Sequence, residues 1–99
     1  MIRHTVVFKL QHATGSAAEL DFLRAAQRLA DIPVVKNFEC LRQVSRKNGY
    51  GFGLSMEFAS AQDYETYNMH PDHVSFVQTR WIPEVADFME IDYVPYTES

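Results

Sequence analysis

The chain has 99 residues, of which 46% are apolar and 22% charged, and its formal net charge is -4. That length suits one domain, residues 1–99, able to bury roughly two thirds of the surface that its unfolded form would expose. Scattered basic residues and an acidic balance argue against nucleic acid as a partner, and no run approaches the roughly 20 apolar residues of a membrane span.

The opening Met1, Ile2, Arg3, His4 enters a strand-like stretch without the features of a secretion signal, so a soluble cytoplasmic protein is expected. From Ile2 to Leu10, alternation sets Ile2, His4, Val6, Phe8 and Leu10 on one face and Thr5 and Val7 on the other. Apolar residues on both sides predict a central strand covered on each face. Ser16 with Glu19 three residues later is a capping-box signature. The helix it predicts carries an apolar stripe of Leu20, Leu23, Gln27 and Ala30, flanked by Phe22, Ala26 and Leu29, and ends near Ile32 and Pro33.

Val34 to Val44 reads as a long strand of mixed exposure, suited to a sheet edge, and Ser45 to Gly51 as its hairpin connection. Phe52 to Phe58 returns with Phe52, Leu54, Met56 and Phe58 on one face and Gly53 and Ser55 on the other. Small residues invite close approach of a helix, which assigns the large apolar side to a second sheet or a cavity. Ser60 and Asp63 open a second helix that Pro71 interrupts; Pro71 then starts a new one, with Val74, Val77 and Trp81 on a shared face and Pro83 limiting its far end. Asp87 to Pro95 reads as the last strand.

The order β, α, β, β, α, β is that of an α+β, ferredoxin-like protomer with an antiparallel sheet. Helices cover one face of such a sheet. The remaining face, expected to hold Phe8, Leu54 and Met56, would be a large exposed patch, and pairing of two copies into a dimeric α+β barrel is the simplest way to bury it.

Chemistry concentrates in the segment Tyr64 to His73. A histidine just inside a helix that starts at a break is well placed to meet a pocket, so His73 is the leading candidate for a base acting near neutral pH. Tyr67 is the companion that would donate to an oxygen on which charge develops. His4 shares a strand face with Val6 and Phe8, where an imidazole needs a partner, and is the third candidate. The expected pocket wall is Val6, Phe8, Phe22, Leu54 and Met56. No metal is expected, because Pro71 separates His70 from the geometry of Asp72 and His73 and no third ligand is evident. The carboxylate pairs Asp63 with Glu65 and Glu90 with Asp92 read as solvated or capping groups. Cys40, the single cysteine, reads as a small buried hydrophobe, and Arg42, Arg46 and Lys47 as a solvated strand end and turn. No phosphate-binding glycine loop, zinc cysteine pair or nucleophile elbow is present, and no cofactor is expected.

Along nearly its whole length the chain resembles the stress-responsive dimeric α/β-barrel (Dabb) family. The resemblance rests on His4-Thr5-Val6-Val7-Phe8-Lys9-Leu10, on Ile32-Pro33 before a long strand, and on Met56-Glu57-Phe58. Its most specific part is Tyr67-Asn68-Met69-His70-Pro71-Asp72-His73-Val74. It implies a ferredoxin-like protomer that dimerises through its sheet. Similar proteins in plants include polyketide cyclases of the olivetolic acid type, and the resemblance implies that Tyr67 and His73 match their reacting pair and His4 a pocket histidine. Where those cyclases carry aromatic pocket residues on the first helix, this chain offers Phe22 beside Asp21 and Ala25, which argues against the same substrate. The leading expectation is a homodimer with a small apolar cavity and cyclase- or lyase-like acid/base chemistry on an oxygenated molecule. The alternatives are a non-enzymatic binding or structural dimer and a monooxygenase of the related barrel type.

Overall fold

The computed structural model describes residues 1–97, so Glu98 and Ser99 of the expected domain lie outside the described residues. The elements are β1 (Ile2–Leu10), α1 (Ala17–Gln27) running on into a 3₁₀ turn (Arg28–Asp31), β2 (Lys36–Arg42), β3 (Phe52–Phe58) and α2 (Ala61–Met69). Then come α3 (Pro71–Phe76), a π-helical segment (Val77–Trp81), α4 (Ile82–Glu84) and β4 (Val85–Tyr93). The four strands form one antiparallel sheet in the order β2-β3-β1-β4, the ferredoxin-like arrangement that the element order predicts.

Local chemistry accounts for the helix boundaries. The Ser16 hydroxyl accepts from the Glu19 amide at 3.2 Å, while the Glu19 carboxylate reaches back to the Gly15 amide at 3.1 Å. Gly15 holds a left-handed φ of 77°, which a side chain would disfavour. Ser60 caps α2 in the same way through the Asp63 amide at 3.1 Å. His70 is extended, as a residue before proline should be, and its Nδ1 accepts from the Asp72 amide at 3.1 Å. That histidine is therefore the cap of α3, with Pro71 in the first turn.

Three sequence expectations are corrected. The edge strand is shorter than Val34 to Val44, spanning Lys36–Arg42, and it is irregular near its start, where Asn37 adopts a left-handed φ of 52° and the register slips between Lys36 and Glu39. On α1 the core face is Phe22 and Ala26, continued by Leu29, whereas Leu20 is about half exposed. Val74 likewise stands exposed while Phe76 turns inward.

The largest correction concerns the sheet faces. Phe8, Leu54 and Met56 are 0%, 3% and 1% exposed and lie under the helices, not on an open face. Bulk decides this. The large side chains of β1 and β3 fill the space between sheet and helices, where Phe8 packs on Phe22 at a centroid distance of 5.8 Å and Phe58 stacks on Tyr64 at 4.9 Å. The small residues Gly53 and Ser55 share the opposite face with Thr5 and Val7 by register. Met89, Ile91 and Tyr93 of β4, with Leu41 of β2, extend that open face and are exposed.

Candidate active site

The core does not close completely at the β4 side of the helix layer. A cavity of 490 Å³ lies there, within the range of small-molecule sites. Its floor is the inner sheet face, with His4 and Val6 from β1, Leu54 and Met56 from β3, and Val85, Phe88 and Glu90 from β4. Its roof runs from Tyr67 and Asn68 at the end of α2, through His73 and Phe76 of α3, to Val77, Trp81 and Ile82. The wide π-helical turn carries Val77 and Trp81 into this wall, and such turns recur at functional sites.

His73, Tyr67 and His4 are gathered along one wall. The Tyr67 ring stands 4.2 Å from the His73 ring and 6.3 Å from that of His4, centroid to centroid. The break at Pro71 brings this about, because the chain turns between α2 and α3 and presents a residue from each side of the break to the same space. Nδ1 of His73 donates to the Asn68 carbonyl at 3.2 Å. A carbonyl only accepts, so Nδ1 carries the proton and Nε2 keeps its lone pair. Burial, reinforced by His4, holds the His73 imidazole below its usual range against the opposing pull of the Asn68 carbonyl and Glu90. At neutral pH it is the neutral ring of a base.

The Tyr67 hydroxyl makes no hydrogen bond among the described residues, although the side chain is buried. Burial above all, and the Glu90 carboxylate next, push its pKa well above the ordinary tyrosine range, so it keeps its proton. His4 is held differently. Its Nδ1 lies 2.6 Å from Asp92 Oδ1, and the Tyr64 hydroxyl donates to Asp92 Oδ2 at 2.8 Å while standing 2.9 Å from the same Nδ1. The carboxylate accepts from both, which pins the ring and its tautomer. Burial first, then Asp92 and Glu90, also raise the Tyr64 phenol.

Of the wall residues expected from the sequence, Val6, Leu54 and Met56 line the cavity. Phe8 and Phe22 do not. Both are fully buried and pack on Trp81, a lining residue whose ring stands 5.0 Å from Phe8 and 6.2 Å from Phe22. Glu90 and Asp92 are exposed, as solvated groups should be, but Asp92 also holds His4 and Tyr64. Register pairs Val6 with Glu90 and His4 with Asp92, so both carboxylates belong to the inner face. Strict alternation along Phe88, Glu90 and Asp92, against Met89, Ile91 and Tyr93, carries that signal in the sequence. Among the described residues no group of three or more His, Cys, Asp and Glu side chains is placed to hold a metal. His70 is turned to the start of α3 and His73 to the Asn68 carbonyl. No helix is long and apolar enough to cross a membrane among the described residues.

Known proteins share this architecture. A Dabb-family protein of ferredoxin-like fold from Mesorhizobium loti is 57% identical with a TM-score of 0.94, covering 97% of each chain. A dimeric ferredoxin-like protein of unknown function from Thermobifida fusca matches at 22% identity and a TM-score of 0.78 over 95% of this chain and 90% of its own, a likeness of fold. Olivetolic acid cyclase of Cannabis sativa is 28% identical over 79 residues, which are 76% of this chain and 78% of the cyclase. A stress-response A/B barrel domain-containing protein of Arabidopsis thaliana is 26% identical over 96 residues. That match takes 95% of this chain but spans only 36% of the length of the Arabidopsis protein. With residues 2–95 matching the family described as Stress responsive A/B Barrel Domain, the chain belongs to the Dabb family.

Proposed function

We propose that the chain is a homodimeric acid/base catalyst of cyclase or lyase type, acting on a small, partly apolar carbonyl compound in the cavity beneath α3. The observation that carries this reading is the pairing of a neutral His73, whose Nδ1 is occupied, with a protonated Tyr67 whose hydroxyl is uncommitted, 4.2 Å apart ring to ring on one wall. Nε2 of His73 removes a proton from the carbon beside the carbonyl, and the electron pair moves into the carbonyl oxygen, where the Tyr67 hydroxyl donates to the oxyanion. The enolate carbon then attacks a second carbonyl of the same molecule, forming the new carbon–carbon bond. The resulting alkoxide takes a proton back from His73, so the base is regenerated. His4 orients the substrate from the opposite end of the wall while Asp92 holds it.

Similarity to olivetolic acid cyclase supports the reaction class. The apolar remainder of the wall supports a substrate with a hydrocarbon body. Pairing of two copies is supported by the open face bearing Leu41, Val7, Met89, Ile91 and Tyr93, and by the dimeric description of the fold relative from Thermobifida.

The direct test follows hydrogen–deuterium exchange beside the carbonyl of aryl ketones, and closure of linear polyketone chains, with the native protein and with His73→Gln. Native protein should accelerate exchange, and His73→Gln should lower the rate by roughly 10²- to 10⁴-fold. Equal rates for the two proteins would overturn the role of His73.

A further inference from the structure

Glu90 is the wall's one carboxylate, and no Lys or Arg lines the cavity among the described residues. Its register opposite Val6 sets it on the inner face, next along that face to Asp92. No hydrogen bond from any described residue reaches the Glu90 carboxylate, whereas Asp92 is taken up by His4 and Tyr64. The arginine and the histidine beyond the roof are also spoken for: Arg80 holds Glu84 at 2.5 Å and Asp21 at 2.8 Å, and His12 holds Glu84 at 2.7 Å. The wall therefore carries one anion and no cation among the described residues. His73 Nε2 and the Glu90 carboxylate accept, while the Tyr67 phenol, the Asn68 amide and the Trp81 indole N–H can donate.

We infer that Glu90 sets the ligand class of the cavity: a small carbonyl compound that carries a hydrogen-bond donor, cationic or neutral, and never an anionic group near that donor. The inference rests on the proposed function, since it specifies the substrate of the same cavity. A carboxylate or phosphate brought into this space meets the exposed Glu90 carboxylate with no compensating cation on the wall, and the like charges repel to an extent that salt screens. An ammonium or hydroxyl instead satisfies an acceptor that the fold leaves open. The same charge serves the reaction, because a negative group beside His73 and Tyr67 favours the imidazolium that forms on proton removal and keeps the phenol protonated.

Three probes on one skeleton separate charge from shape: 4-(aminomethyl)acetophenone as the cation, 4-(hydroxymethyl)acetophenone as the neutral donor, and 4-acetylbenzoate as the anion. Calorimetric titration should rank the cation and the neutral probe about tenfold or more ahead of the anion with native protein at low salt, with the gap shrinking as salt rises. Glu90→Gln, which keeps size and fold, should abolish the preference for the cation over the neutral probe and bring the anion to within about threefold of the neutral probe. Binding of all three probes without charge ranking, or a ranking that survives Glu90→Gln, overturns the inference and leaves the acid/base reading standing. Failure of every probe to bind, with no ketone exchange by native protein, overturns both.

Discussion

His73 and Tyr67 face each other at 4.2 Å between ring centroids, yet no hydrogen bond joins them. The imidazole is committed to the Asn68 carbonyl and the phenol is left uncommitted. Had the two simply satisfied one another, both polar ends would be spent inside the fold. Their separate arrangement leaves one acceptor and one donor for a bound molecule, at a cost in stability that a purely structural pair would not carry.

The protonation of His73 predicts a pH profile. Its imidazole sits below the ordinary 6.5, so the rate should rise with pH on an acidic limb whose midpoint lies below that value, then level through neutrality. The same shift links to stability. Between the lowered folded value and 6.5 the unfolded chain binds the proton and the folded chain does not, so this contribution is present above 6.5 and is lost as pH falls through the folded value. Rate profiles and thermal melts between about pH 5 and 8 check both, and an acidic limb centred above 6.5 would contradict the assignment.

Asp92 joins two elements that are far apart in sequence, and its removal should be felt at both. Asp92→Ala leaves the 6%-exposed His4 without its carboxylate and the Tyr64 hydroxyl without its acceptor. A loss of about 1–3 kcal/mol is expected, discounted toward the lower end because Asp92 is partly exposed. That corresponds to a fall in Tm of at least about 4 °C. A double-mutant cycle with Tyr64→Phe should show coupling between the two sites; strict additivity would mean that the triangle is not a unit.

The core ring cluster predicts a sharp contrast along α1. Phe22→Ala empties a fully buried site against Phe8, Phe76 and Trp81 and should cost about 3–5 kcal/mol. Leu20→Ala, two residues earlier and half exposed, should cost within about 0.5 kcal/mol of nothing. Chemical denaturation of the two variants measures both, and a comparable loss in each would contradict the burial pattern.

The proposed pairing of copies is tested on the open sheet face. Met89→Lys with Ile91→Glu places charge on the outer side of β4, where neither side chain touches the cavity. The pair should shift the mass seen by light scattering from two chains to one while the circular dichroism of each chain keeps its shape. A dimer unchanged by both substitutions would move the interface elsewhere.

Much of the architecture is written in local patterns. Ser16 with Glu19, Ser60 with Asp63, and Pro71 after His70 each announce a helix boundary through interactions a few residues long, and β1 and β3 announce themselves by period-two alternation. The grouping of Tyr67 with His73 follows from the same kind of signal, since the break at Pro71 lies between them. Tertiary structure alone decided which face of the sheet the helices would cover. Phe8, Leu54 and Met56 are apolar under either choice, and only the volume available between layers selects the large side chains for the interior and leaves Gly53 and Ser55 on the open side. It also decided the electrostatics of the cavity. Glu90 and Asp92 reach Val6 and His4 through the pairing of the last strand with the first, across more than 80 residues of chain, and no local rule records a partner at that distance.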